Sequence, residues 1–385
     1  MKGIGEIFKR RQKFHRLGRL EDRSSEVTMK LLKFPSLVQQ NVFEFLGMHV
    51  LLILSFCSKR IRYSIQSLQK PRWKDIKSVQ YFFKEKDKIN VSVKSENSSV
   101  GFSLSPTTLE ETMITPMDVF GMGPTIPIRL HPNLSKRKYL FNREQKQLVV
   151  QGIHDNLHQF LGSSTINYVV DSTGHELPQN LKNIKRTCIK VSENTTAEEL
   201  EACFAASPNQ EYIQIDGHFN GNLCPNSAIL GAEHLRIISN KGHGDEILLG
   251  FRGKRFDCDC SFHDATIVQF LNEWKSNKGF HKLESLIINS IRSKNYDATD
   301  LLKDIDVKQL DRPQDTLHIT WQTRYAYPIV NAMGSTKPLK VGGFSSRDYS
   351  IRDGDGEKAS VFIENHDVCF AVWKGNSCEM ENING

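Results

Sequence analysis

The chain has 385 residues, 38% of them hydrophobic and 25% charged, with 51 Lys and Arg against 44 Asp and Glu. That length suits two or three domains, or one small domain beside one large one. No apolar run approaches the roughly 18 residues of a membrane span, the longest being Val50 to Leu54. The eight cysteines are too sparse for a disulfide scaffold and are expected to be reduced cytosolic or nuclear thiols. The net charge of +7 is uneven: residues 1–29 hold eight basic and four acidic side chains, and the other 356 hold 43 and 40. A nearly neutral body disfavours a nucleic-acid footprint.

Residues 1–29 read as a basic extension. Ile4, Ile7, Phe8, Phe14 and Leu17 would share one face of a helix, as in a nuclear-import or acidic-membrane-surface segment; the plainer expectation is a disordered tail. It has no apolar h-region, so no secretory leader is expected, and Asn90, Asn97, Asn133 and Asn194 carry no weight as glycosylation sites.

Residues 30–70 predict three short helices. Phe34-Pro35-Ser36 opens the first, with proline in the first turn and serine as a cap. Leu37, Val38, Val42, Phe45 and Leu46 recur at helical spacing, and Gly47 stops it. Leu51, Leu52, Leu54 and Cys57 make a second. Ser58 caps a third carrying Ile61, Ile65 and Leu68, which Pro71 ends. Three short helices cannot bury so much apolar surface among themselves, so the surplus should face a partner or the next domain. Residues 71–147 predict a β-rich linking region, with Val79, Tyr81 and Phe83 alternating, as do Ile89, Val91 and Val93. The proline-rich stretch from Ser103 to Leu134 predicts a long connection.

Residues 148–385 predict a larger domain. Strand candidates begin near Ile166, Ile184, Tyr212, Leu235, Phe256 and Leu283, with helices at 152–161, 196–206 and 263–277. Thr196 with Glu199 makes a capping box. The strand spacing of about 20–28 residues falls in the leucine-rich-repeat range, without that repeat's strict consensus. Alternating strands and helices imply parallel pairing with right-handed crossovers. Ile351 to Trp373 predicts an antiparallel meander turning at Asp353–Gly356 and Asn365–Asp367. The fold class is therefore α+β with an α/β element: a small helical unit, irregular βα units, then antiparallel strands.

Chemistry is thin. Cys258, Cys260 and His263, with Cys224 or His243 as a fourth ligand, form the best metal candidate; the alternative, core thiols on one face of a strand, is preferred because the fourth ligand lacks a characteristic spacing. Asp353 to Glu364 imitates a calcium loop but has Lys358 where that loop needs glycine, so a hairpin turn is expected. His154 and His158 share a helical i, i+4 face without an acidic companion and read as a surface pair. No nucleophile with its base is visible, and neither enzyme activity nor a cofactor is expected.

Residues 31–68 resemble an F-box: Phe34-Pro35 in place of Leu-Pro, then Val38, Val42, Leu46, Leu51 and Leu54, then Cys57-Ser58-Lys59-Arg60. Asp264 to Asn289, with Phe270-Leu271, Trp274 and Leu283-Glu284, is similar to the signature of the type-2 F-box-associated domain, as is the ending from Ile351-Arg352-Asp353-Gly354 to Val372-Trp373. This pairing is typical of the nematode-type F-box expansion. The doubled Asp-Gly turn departs from the family's shorter one. The resemblance implies a substrate-recognition adaptor of a Skp-cullin-F-box ubiquitin ligase, working in the cytoplasm or nucleus. A Skp-type adaptor would bind Phe34, Pro35, Leu37, Val38, Val42, Leu46, Leu51 and Leu54 and link to a cullin-RING ligase. Residues 148–385 would hold an unknown protein substrate and raise its effective concentration near the charged E2. A scaffold without a degradation role, or a zinc-stabilised module, are the alternatives.

Overall fold

In the computed structural model the described residues are 31–84, 87–95, 99–106, 116–118, 127–130, 138–162, 167–172, 177, 181–238, 244–289, 295–310, 317–321 and 342–373. The basic extension lies outside them, as does most of the proline-rich stretch. The chain opens with helices α1 (Ser36–Phe45), α2 (Met48–Cys57), α3 (Lys59–Leu68) and α4 (Lys70–Lys74). The capping residue of α1 is Pro35 rather than Ser36, and no side chain caps it. Pro71 does not end the helical unit. It occupies the first turn of α4, where a missing N–H costs nothing.

Strands β1 (Ile76–Lys84), β2 (Lys88–Ser95) and β3 (Ser99–Pro106) follow as an antiparallel meander. Two short strands, β4 (Pro116–Asp118) and β5 (Pro127–Leu130), and β6 (Lys138–Phe141) extend that edge. Helix α5 (Lys146–Leu161) then leads into β7 (Asn167–Ser172), which pairs parallel with β1.

The expected boundary between helical unit and linking region is not a physical one. Phe43, Leu51, Leu52, Phe56, Ile65 and Trp73 from the helices share a single buried cluster with Val79, Tyr81, Ile89 and Val91 from β1 and β2 and with Val149, Ile153 and Leu157 from α5. The Trp73 ring meets Phe160 edge-on at 4.6 Å. Gln66 Nε2 donates to the carbonyls of Gln159 (3.0 Å) and Phe160 (2.7 Å), satisfying the last turn of α5 from α3. The alternating apolar residues of β1 and β2 therefore build the floor under the helices.

The next strands are β8 (Arg186–Lys190), β9 (Tyr212–Asp216), β10 (His234–Ile238), β11 (Arg255–Asp259) and β12 (Ser285–Asn289). From β7 to β12 each strand pairs parallel with its neighbour in sequence. The connections carry α6 (Ala197–Phe204), α7 (Gly244–Gly250) and α8 (Asp264–Lys275). The Thr196–Glu199 capping box is formed. Leu200, Phe204, Ile247, Leu248, Ile267, Phe270 and Trp274 from these helices pack on Ile213, Leu235, Ile237, Phe256 and Leu286 of the strands. The opposite pleat presents Cys188, Gln214, Arg236, Asp257 and Ile287 in register and half-buried. Side-by-side strands 4.7–4.9 Å apart bring such side chains into lateral pairs: Arg236 lies 3.5 Å from Asp259 and His234 Nε2 2.8 Å from Asp257. Gly253 makes the tight stacking possible before β11, because a Cβ there would meet the Ala232 carbonyl oxygen at 1.9 Å.

After α9 (Ala298–Leu302) and β13 (Val307–Gln309), the ladder of β14 (Leu317–Trp321) with β15 (Gly342–Ser346) forms a separate two-stranded sheet. Strands β16 (Asp348–Ile351), β17 (Lys358–Glu364) and β18 (Asp367–Val372) form the expected meander, and β18 pairs antiparallel with β12. Among the described residues the main sheet thus has sixteen strands of mixed direction behind a helical head, and the class is α+β.

Candidate docking surface on the helical head

Helix α1 is apolar on two sides. One side carries Phe43, the single fully buried residue of the helix. The carbonyl of Phe43 and that of Leu46 both accept from the Arg72 guanidinium at 3.0 Å. The Phe43 carbonyl also takes the Leu46 N–H at 3.1 Å, so Arg72 reinforces the closing turn of α1 and supplies a donor to the Leu46 carbonyl. The other side carries Leu37, Val38 and Phe45, 67%, 41% and 83% exposed, and Phe34, 43% exposed, stands just before it. A folded chain seldom leaves such a row of large apolar side chains in water without a partner.

The eight residues predicted for adaptor contact divide accordingly. Phe34, Pro35, Leu37 and Val38 are exposed together at the start of α1. Val42, Leu46 and Leu54 are half-buried, and Leu46 and Leu54 pack against the shared core. Leu51 is wholly buried in that core, which removes it from any free surface: with Leu52 it faces inward on a helix that packs onto β3 and α5. Phe45 belongs to the exposed row and was absent from that set, although its helical spacing from Val38 and Val42 was visible. Spacing located the stripe but not which of its edges turned outward.

The metal candidate does not assemble. Cys258 and Cys260 are bonded to each other as a disulfide, their Cα atoms 5.6 Å apart, and both side chains lie in the core. This corrects the expectation of reduced thiols for these two. His263 turns to Asp245, Nδ1 to Oδ2 at 2.7 Å. Cys224 is exposed, its backbone N–H donating to Glu201, and His243 lies outside the described residues. Among the described residues no group of three His, Cys, Asp or Glu side chains is placed to hold a metal ion.

His154 is not on the surface, as the i, i+4 pattern suggested, but is 1% exposed. Its ring meets Tyr81 Oη at 3.0 Å through Nδ1 and the Lys182 carbonyl at 2.7 Å through Nε2. With the carbonyl as acceptor, Nε2 carries the proton and the Tyr81 hydroxyl donates to Nδ1. Burial pushes the imidazole pKa down and the Tyr81 phenol well up. His158 stands beside Asn183 at 3.2 Å. The group is polar packing between α5 and the first strands.

The acidic turn at Asp353–Glu357 is a hairpin held from within. Arg352, 5% exposed in its side chain, donates to Asp355 and pairs with Glu357, and its guanidinium lies 5.4 Å from the centre of the Trp274 ring. That pairing holds the Asp355 carboxyl down to about 2. The Asp353 N–H caps α8 at the Lys275 carbonyl. Arg352 thus ties the meander to α8, and its charge is committed to the fold.

No helix among the described residues is long and apolar enough to cross a membrane. Comparison with protein-family models, with curated proteins and with solved structures finds no match to this chain.

Proposed function

We propose that the chain is a non-catalytic substrate-recognition adaptor of a Skp-cullin-F-box ubiquitin ligase, in the cytoplasm or nucleus. In this reading α1 to α3 are the F-box and the βα array is leucine-rich-repeat-like and belongs to a type-2 F-box-associated domain. The observation that carries it is the exposed apolar row of Phe34 just before α1 and Leu37, Val38 and Phe45 on it, a helix whose other side is locked into the core. Burying each such side chain against a partner is worth roughly 1.5–3 kcal/mol. The adaptor would cover this row. The half-buried pleat of β8 to β12 would offer a surface for a protein substrate. Because the head is packed on β1 and β1 is joined through β7 to the β8–β12 array in one sheet, the substrate would be held at a fixed orientation to the ligase, which favours transfer by proximity.

The test is co-purification of the full chain with a Skp-type adaptor, beside Leu37→Asp and Val38→Asp. Both positions are exposed, so the variants should fold and lose the adaptor, because a charge would be desolvated on an apolar interface. Folded variants that still bind, or a folded wild-type chain that does not, would refute this reading. Removing residues 30–70 is a poor control, since it would strip Phe43, Leu52 and Ile65 from the core under β1.

A further inference from the structure

The head differs from the sheet in how its charges are used. Residues 31–75 hold seven Lys and Arg against two Asp and Glu, whereas residues 76–385 hold 35 against 38. In the sheet many cations are spent on lateral or turn pairs: Arg186 with Glu211, Arg236 with Asp259, Arg255 with Glu284, Arg352 with Asp355. On the head Lys33, Lys59, Arg60, Lys70 and Lys74 are exposed, and none makes an ion pair among the described residues.

They lie on elements that border the helix carrying the apolar row. Lys33 precedes Phe34. Lys70 and Lys74 lie on α4, whose Arg72 caps α1 at Phe43 and Leu46, next to Phe45. Lys59 and Arg60 open α3, which packs on α1. We infer that the head is built to dock an acidic-rimmed protein, with Lys33, Lys59, Arg60, Lys70 and Lys74 framing the apolar row as a ring of cations that meets the partner's carboxylates. The inference rests on the docking reading above and adds the chemistry of the partner. The basic extension of residues 1–29 carries the same sign and enters the chain beside Lys33, so like-charge repulsion disfavours that segment as the cover of the row. Exposed Glu44, which accepts from Gln40 Nε2 at 3.0 Å, sits beside the row, where an anionic lipid surface would repel it but a protein can present a donor to its carboxylate.

Such a ring acts on encounter more than on residence. Electrostatic steering raises association rates by about 10- to 1,000-fold and is screened by salt, whereas buried apolar contacts set dissociation. The experiment measures association and dissociation rates of the full chain with a purified Skp-type adaptor at about 0.1 M and about 1 M salt, where the Debye length falls from about 10 to 3 Å. It compares wild type with a Lys33→Gln, Lys59→Gln, Arg60→Gln, Lys70→Gln variant. The expected result is an association rate lower by about tenfold in the variant at low salt, a gap that closes at high salt, and dissociation changed by less than about threefold. Circular dichroism checks that the variant is folded. Adaptor binding whose association rate ignores both salt and the four substitutions would overturn the inference while leaving the docking reading standing. A folded wild-type chain that fails to bind at either salt would overturn both. Mixed phosphatidylcholine–phosphatidylserine vesicles serve as the competing surface: substitutions that abolish vesicle binding while sparing adaptor association would overturn a protein as occupant.

Discussion

Phe43→Ala tests whether the helical head and the sheet are one structure. The ring is wholly buried in a cluster that also holds Val79 and Tyr81 of β1 and Val149 and Ile153 of α5. Truncating a buried phenylalanine costs about 3–5 kcal/mol, from lost transfer energy and the cavity left behind. Against a typical total of about 5–15 kcal/mol, that is about a fifth of the stability or more. The substitution also sits where Arg72 holds the α1 carbonyls, so the loss reaches α4. Native-state hydrogen exchange read by mass spectrometry should show protection falling together in residues 36–74, in β1 and in α5. Exchange that rises only in residues 36–74, with β1 and α5 unchanged, would refute the single core and restore a separable head.

Arg352→Ala should lower stability by about 2 kcal/mol in urea melts, because the guanidinium is buried while its carboxylate partners are partly exposed and screened; Arg352→Lys should not restore it, since the planar contact over Trp274 is lost. Gly253→Ala should cost at least about 2 kcal/mol, because the new methyl overlaps the Ala232 carbonyl, and wild-type stability in this variant would show that the β10–β11 approach is misread. The His154 imidazole is held neutral by burial, below its unfolded value of about 6.5. The unfolded chain then binds more protons below about pH 6.5. Stability from this site is therefore full above that pH and is lost as pH falls toward the folded pKa. Urea midpoints at about pH 7 and about pH 5 should differ more for wild type than for His154→Gln, and equal slopes would remove His154 as a source.

Signals between near neighbours specified many of the local elements. Helical spacing found α1 to α3, α5, α6 and α8, period-two alternation found β1 and β2, and the Thr196–Glu199 pair marked a helix start, because these signals depend only on neighbours within a few residues. The sequence also located an apolar surplus in residues 30–70. Only the tertiary structure decided which side of that surplus faces water. Leu37 and Leu51 are alike in residue type and in helical setting, yet one is 67% exposed and the other fully buried. The difference is made by β3 and α5, which pack on α2 from far along the chain. The same holds for His154, whose partners Tyr81 and Lys182 lie 73 and 28 residues away. Spacing put Cys258 and Cys260 on one face of a strand as core thiols, with metal ligation the weaker reading; both are in the core, and that their sulfurs join to each other was not legible in the spacing. Short-range periodicity fixes what a segment becomes, whereas burial is a property of contacts distant in sequence, and only the folded chain supplies them.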